Sequence, residues 1–364
     1  MLIDFHRTRT PHQYHASTRE RLPLMVLALS SCESSRAGIM DNPSFLRVVG
    51  ACDNFPYGPT DSDYYELYLP ENDQPYGLML PEIVEKMPWP PNFEVNHASR
   101  RVKVLDSSHG KNTAKSVNSA FQELINTCID QDLFDVLDGR HSEPFALLGA
   151  SYEAAVSIER FATTLFGLTT RGVHLVAYTK LGSEIDRIWI SRRAKHLFTY
   201  PGMLDTTVAG GLKSGVPPLQ AVLEEADEEA SFDTAYVRAH VKSHGVLSHM
   251  SLTGKGIPGE QGLVNPDYIY VYDMELSELI PPKPHDEEVD CFYSMTVDEV
   301  KAALLNEEFK PDSGAVLVDF LIRHSIITPE NEEHFVEINM RLHRRLPFPI
   351  ASLKHRDRPE LPLS

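Results

Sequence analysis

The run VAGGLKSGVPPLQAVLEEADEEASF, residues 208–232, decides how this chain is read. Gly210 and Gly211 open it, a loop with a third glycine and two prolines follows, and a helix is expected from Pro218 to Ala230. Glu225, Glu228 and Glu229 fall at i, i+3 and i+4, so their carboxylates share one helix face. Like charges that close repel and shift one another's pKa. A hard divalent cation among them explains the arrangement, since Mg²⁺ takes a few carboxylates, keeps several waters and bridges to substrate phosphates. A solvated acidic face is the plain alternative. Against it stands the glycine-rich loop that feeds directly into the helix.

The same stretch resembles the Nudix box, G-x5-E-x7-R-E-U-x-E-E-x-G-U, where U is aliphatic. Gly210 opens the box, Glu225 is the Glu of "RE", Ala226 is U, and Glu228 and Glu229 are the "EE". Val216 stands in place of the first Glu, Glu224 in place of the Arg, and Ser231 in place of the last Gly. The surrounding text is more specific. SIERFATTLFGLTTRGVHLVAY, SRRAKHLFTYPGMLDTTVAGGL, YIYVYDMELSELIPPKPHDEEVDCFY, EFKPDSGAVLVDFLIRHSIITPEN and RLHRRLPFP are similar to Nudix proteins related to thiamine pyrophosphokinase. In fungi these occur alone or ahead of a kinase domain. SFLRVVGACDNFPY resembles that family's own N-terminal domain, so the likeness spans residues 43–349.

The resemblance implies an α/β fold, the Nudix α/β/α sandwich with a mixed sheet, preceded by a small α+β accessory domain. The expected division is a disordered extension over 1–39, the accessory domain over 40–150, the Nudix domain over 151–328, and a C-terminal helix and tail over 329–364. With the sequence ending at Ser364, no kinase domain is expected. Strands at Gly172, Ile188, Thr207, Tyr268 and Val289 alternate with helices over 218–230, 297–306 and 313–324, as a sheet covered on both faces requires. Residues 152–165 read as a connecting helix, with Ile158, Phe161, Ala162 and Leu165 on its inner side.

The chemistry the resemblance implies is hydrolysis of a diphosphate attached to a nucleoside or similar group, with Mg²⁺ or Mn²⁺ as cofactor. Glu225, Glu228 and Glu229 would be catalytic metal ligands, with the Gly210 carbonyl as a further oxygen donor. The general base is one of these carboxylates or comes from PHDEEVD, where Glu287 and Glu288 lie; Glu288 is the candidate carried forward. A solvated acidic turn is the equal alternative there. Arg192, Arg193 and Lys195 are candidates for gripping the diphosphate, because guanidinium groups bind phosphate bidentately. Neighbours on a strand face opposite ways, so at most one of the two arginines points inward. Phe198 and Tyr200 are available to stack on a heteroaromatic ring. Glu224 removes the cation that holds the first metal-binding Glu in the family pattern, and Lys213 or Arg193 is the expected substitute. Ser231 costs little if its backbone need not be left-handed. The implied substrates are thiamine diphosphate, damaged analogues such as oxythiamine diphosphate, or 8-oxo-guanine deoxynucleoside diphosphates. The alternative is a weakened domain that only binds a phosphorylated ligand or a protein.

Composition bounds these readings. A chain of 364 residues suggests two domains, and 42% hydrophobic with 24% charged residues reads as globular. A net charge of −18 speaks against a nucleic-acid partner. A small phosphorylated substrate stays compatible, because a bound metal reverses the local field. Cys32, Cys52, Cys128 and Cys291 are scattered, which suggests a reducing compartment. No apolar stretch reaches the length of a membrane span, so no membrane partner is expected. The expected location is cytoplasmic, or mitochondrial if the Arg- and Ser-rich residues 1–39 are a transit segment and not an extension ahead of a second start at Met40. Two further patterns carry little weight. Gly254, Gly256 and Gly259 form GxGxxG without a preceding buried strand, and His240, His244 and His249, the first two aligned if helical, lack acidic or Cys partners at ligand spacing and read as surface or core residues.

Overall fold

The computed structural model describes residues 44–350, apart from 59–62, 138–142, 151, 255–256 and 278–279. The extension over 1–39, the alternative start at Met40, Gly256 and the end of the tail lie outside the described residues.

Helix α1 (Leu46–Cys52) comes first, then a four-stranded sheet of β1 (Tyr65–Tyr68), β2 (Gly77–Met79), β3 (Phe93–Asn96) and β4 (Arg101–Val104) in the order β2-β1-β4-β3. Helices α2 (Pro81–Lys86) and α3 (Thr113–Asp130) belong to this layer. Val117, Ala120, Phe121, Leu124 and Cys128 recur at helical spacing along α3 and bury against Leu67, Met79, Val102 and Val104 of the small sheet. Trp89 is an anchored loop aromatic, its indole N–H donating to the Val84 carbonyl at 2.8 Å. Helix α1 instead contributes Val48, Val49 and Cys52 to the core of the larger sheet.

The helix expected over 152–165 is not formed. Ser157–Glu159 is a strand, β6, paired antiparallel with β5 (Pro144–Ala146), and Arg160–Phe166 is a 3₁₀ helix. Val156 and Ile158 are β-branched, and Ile158 gains Phe145 as a cross-strand partner, a packing that helical periodicity alone does not anticipate.

The larger sheet is built on β7 (Thr170–Leu181), β8 (Glu184–Arg193), β9 (Leu204–Asp205), β10 (Val208–Gly211), β11 (Lys242–Leu252), β12 (Val264–Glu275) and β13 (Val289–Met295). Its order is β11-β12-β7-β8-β13, with β10 on β7 and β9 on β8. Only the β12–β7 pairing is parallel among these, so the sheet is mixed. Alternation sorts its faces. Val173, Leu175 and Ala177 of β7 bury with Ala221, Val222 and Ala226 of α4 (Pro218–Ala230) and Val237 of α5 (Thr234–His240). Val176 and Tyr178 bury on the opposite face, with α6 (Val297–Leu305), α7 (Pro311–Arg323) and α8 (Phe335–Leu342). The result is an α/β/α sandwich with a mixed sheet.

The sequence reading lacks β11 and α5. It treats His240 and His244 as neighbours on a helix, whereas His240 ends α5 and His244 and His249 lie on β11.

Candidate active site

Helix α4 turns Ala221, Val222, Ala226 and Ala230 toward the sheet. Glu229, three residues after Ala226, is therefore carried inward and is only 6% exposed. Glu225 is half-buried and Glu228 exposed. The acidic run is thus graded in depth rather than a uniformly solvated face.

Strand β10 packs directly on these carboxylates. The Ala209 N–H donates to Glu229 Oε2 at 2.9 Å. A Cβ added at Gly210 would overlap the Glu225 carboxyl, so the absence of a side chain at Gly210 is what lets Glu225 lie against β10 in this position. Burial, then the charge of Glu228, pushes the Glu225 carboxyl up to about 7. Burial and the neighbouring Glu225 raise Glu229 well above the usual carboxylate range.

Of the two expected substitutes for the cation absent at position 224, Lys213 is the one whose charge acts on Glu225. The Lys213 ammonium opposes the upward shift of Glu225, and its Nζ lies 3.6 Å from Glu143 Oε2. Arg193 does not take that place: Nη1 pairs with Asp205 Oδ2 at 3.2 Å and Nη2 donates to the Thr199 carbonyl at 3.0 Å. Glu224 accepts from Gln220 Nε2 at 2.8 Å, one turn back along α4. Ser231 does adopt the left-handed conformation, φ 56° and ψ 31°, so the expectation that its backbone need not be left-handed is not met. Its cost is offset in part by its Oγ donating to the Lys283 carbonyl at 3.0 Å.

The loop after β12 folds back over the end of α4. The Lys283 N–H donates to the Ala230 carbonyl at 3.0 Å and the Asp286 N–H to the Glu228 carbonyl at 3.1 Å. This brings Glu288 to the rim of a cavity of ≈ 290 Å³ that also holds Gly210, and close enough to add to the upward shifts of Glu225 and Glu229. Glu287 is exposed and does not line it.

Among the three basic candidates, Arg193 lines this cavity and the other two do not. Arg192 lies over the Tyr293 ring, with Nη1 donating to the Gly202 carbonyl at 2.7 Å. Lys195 is exposed. Arg160, Arg171 and Lys310 line the cavity and were missed. Only topology assembles them: Arg171 begins β7 beside the Gly210–Gly211 strand, and Lys310 immediately precedes α7. Phe198 lines this lobe and a second lobe of ≈ 410 Å³, here called the inner lobe, which shares Thr170, Asp267 and Asp312 with it and which Tyr200 also lines.

The lining of the first lobe is also polar at His174 and Asp312. His174 is 3% exposed, with Nδ1 2.9 Å from Thr206 Oγ1, and burial depresses its pKa to about 4. Lys310 Nζ lies 2.8 Å from Asp312 Oδ2, which holds that half-buried carboxyl low despite its desolvation.

Does a divalent cation fit the box? As the side chains stand, no group of three or more His, Cys, Asp or Glu among the described residues is placed to hold a metal ion. The donor chemistry fits: carboxylates with a strand carbonyl form the all-oxygen set that Mg²⁺ prefers. Buried carboxyls held in mutual repulsion are also those whose ionisation a cation would relieve. The three histidines are not brought together as ligands. His240 stacks on Tyr236 at 4.1 Å between centroids, and His244 Nε2 lies 3.3 Å from Asp273 Oδ2.

No family model matches the chain. It is 40% identical over 199 residues to "Uncharacterized protein YJR142W" of Saccharomyces cerevisiae, covering 53% of this chain and 58% of that protein. It is 33% identical over 198 residues to "Nudix hydrolase 20, chloroplastic" of Arabidopsis thaliana, covering 54% and 50% respectively. Against "Nudix hydrolase 24, chloroplastic" of the same plant the identity is 32% over 194 residues, covering 53% and 49%. The chain therefore spans about half the length of the curated relatives it matches. Among solved structures, DR0079 from Deinococcus radiodurans is 18% identical, with 48% of this chain and 97% of that one covered and a TM-score of 0.34. The sandwich is read from its own strand order, not from that likeness.

Proposed function

We propose that the chain is a divalent-metal-dependent hydrolase of a diphosphate linkage in a small phosphorylated substrate. The observation that carries the reading is the seating of Gly210 against Glu225, beside Glu229 and at the edge of a cavity lined by cations. Sequence similarity to two proteins named Nudix hydrolases supports it. In this reading Glu225, Glu228, Glu229 and the Gly210 carbonyl would hold Mg²⁺ or Mn²⁺, and when bound that ion would supply charge neutralisation for the diphosphate and a lowered pKa for the attacking water. Arg171, Arg193 and Lys310 orient the diphosphate, and Lys213 steadies Glu225. Glu288, at the cavity rim, takes the proton from water. Phe198 supplies an apolar wall for the group attached to the diphosphate.

For substrate we favour thiamine diphosphate or damaged analogues such as oxythiamine diphosphate, with 8-oxo-guanine deoxynucleoside diphosphates next. A second reading, a domain that binds a phosphorylated ligand without turning it over, is favoured by Glu224 and by carboxylates that have not converged. Phosphate release with Mg²⁺ and with Mn²⁺ over this panel separates the two. Turnover of any member supports the hydrolase, and binding without turnover across the panel supports the second reading. No described helix is long and apolar enough to cross a membrane. As a separate part of this reading, the activity is placed in the cytoplasm, or in mitochondria if residues 1–39 are a transit segment.

A further inference from the structure

Three strands place one row of side chains at the inner end of the cleft. Asp267 on β12 is the register partner of Thr170 on β7 on one side and of His249 on β11 on the other. Residues directly across a ladder bring their Cβ atoms within about 5 Å. His249 is only 7% exposed, yet neither ring nitrogen has a hydrogen-bond partner among the described residues. Asp267 Oδ1 is buried and equally unpartnered. Both residues line the inner lobe, and Asp267 also lines the lobe that holds Gly210 and Glu288. Buried polar atoms are nearly always paired, so adjacent unpaired ones facing a single cavity point to a ligand that pairs them.

We infer that the row Thr170–Asp267–His249 is a recognition site for a heterocycle whose edge presents an N–H donor beside a hydrogen-bond acceptor. It forms the non-phosphate end of the substrate site and rests on the diphosphate reading above. The carboxyl oxygen accepts the ring or amino N–H. Neutral imidazole, which offers one donor and one acceptor nitrogen, completes the edge. Phe198 lines both lobes, as Asp267 and Thr170 do. Amino-pyrimidine and lactam edges share this donor–acceptor pattern, and the test separates them.

The probes are cytidine (amino edge), uridine (lactam edge), 3-methyluridine (lactam N–H removed) and inorganic pyrophosphate with Mg²⁺. Each is titrated calorimetrically into the full chain and into Asp267→Leu, Asp267→Asn and His249→Phe. We expect cytidine, uridine or both to bind, with 3-methyluridine at least about tenfold weaker than uridine if the lactam edge is read. Asp267→Leu and His249→Phe should each weaken the nucleoside about tenfold or more, while Asp267→Asn, which keeps an acceptor oxygen, retains part of the affinity. Pyrophosphate affinity should be unchanged in all three variants. Thermal unfolding of each variant verifies that it is folded, and Asp267→Leu should stay within about 1–2 kcal/mol of wild type, since it removes a buried carboxyl whose Oδ1 is unpaired. Wild type that binds neither nucleoside up to millimolar concentration overturns the proposal. So do folded variants that bind nucleosides as wild type does, or that lose pyrophosphate and nucleoside together. Variant-sensitive nucleoside binding without any pyrophosphate binding keeps this site and removes the diphosphate reading instead.

Discussion

Glu225→Gln should stabilise the metal-free protein at alkaline pH and leave it unchanged in acid. The folded carboxyl titrates near 7 against an ordinary value of 4.5. Between those values the folded chain holds a proton that the unfolded chain has lost. Stability therefore falls as pH rises from 4.5 to 7 and stays lower above. At ~1.4 kcal/mol per pH unit the ceiling is about 3 kcal/mol, and screening at the half-exposed edge of Glu225 brings the expected effect to about 2 kcal/mol. Glutamine keeps the shape that fits against Gly210 and cannot ionise, so this loss is absent in the variant. Urea unfolding in excess chelator, at pH 4.5 and pH 8 and constant ionic strength, gives the difference between the two proteins with other titrations cancelling. Glu225→Gln should match wild type at pH 4.5 and exceed it by about 2 kcal/mol at pH 8. Adding Mg²⁺ at pH 8 should raise wild type and barely move the variant. A variant destabilised equally at both pH values would refute the picture of a buried carboxyl held in repulsion.

Gly210→Ala drives a methyl into the Glu225 carboxyl, so hydrolysis should fall by orders of magnitude with a stability loss of about 1–3 kcal/mol, read from turnover and unfolding on one preparation. Arg171→Ala should raise KM for a diphosphate substrate about tenfold or more, whereas Arg192→Ala, stacked on Tyr293 outside the cavity, should not; equal effects would move the phosphate site. His174 is buried neutral with its pKa lowered to about 4, so its contribution is whole above pH 6.5 and is lost as pH falls toward 4. The lost stability is at most about 3 kcal/mol, and His174→Asn should flatten that part of an acid unfolding series.

What was legible in the sequence follows from where information is local. Helix α4 could be read from Pro218 to Ala230 because its apolar spacing, its preceding loop and its carboxylate pattern all lie within one run. The same holds for α7, off by two residues at Pro311. Strand β11, KSHGVLSHMSL, hides its alternation behind serines, histidines, Gly245 and a register shift between Ser243 and Val246. Its residue His249 accordingly read as surface or core, although it faces a cavity. Arg171, Arg160 and Lys310 carry no local mark because only the sheet gathers them around Gly210. The 157–166 segment misled through a helical spacing that Ile158 satisfies by pairing with Phe145. Lys213 was legible only as one of two candidate cations; its position beside Glu143 and Glu225 distinguishes it from Arg193, which is engaged by Asp205.

The central claim is that the α4 carboxylates carry metal-dependent diphosphate hydrolysis. Phosphate release from thiamine diphosphate, oxythiamine diphosphate and 8-oxo-guanine deoxynucleoside diphosphate, measured at saturating Mg²⁺ for wild type and Glu229→Gln, tests it most directly. Glutamine preserves an acceptor for the Ala209 N–H and removes the charge. The account predicts turnover of at least one substrate by wild type and a fall by orders of magnitude in a folded Glu229→Gln; wild-type-like turnover in that variant would contradict it.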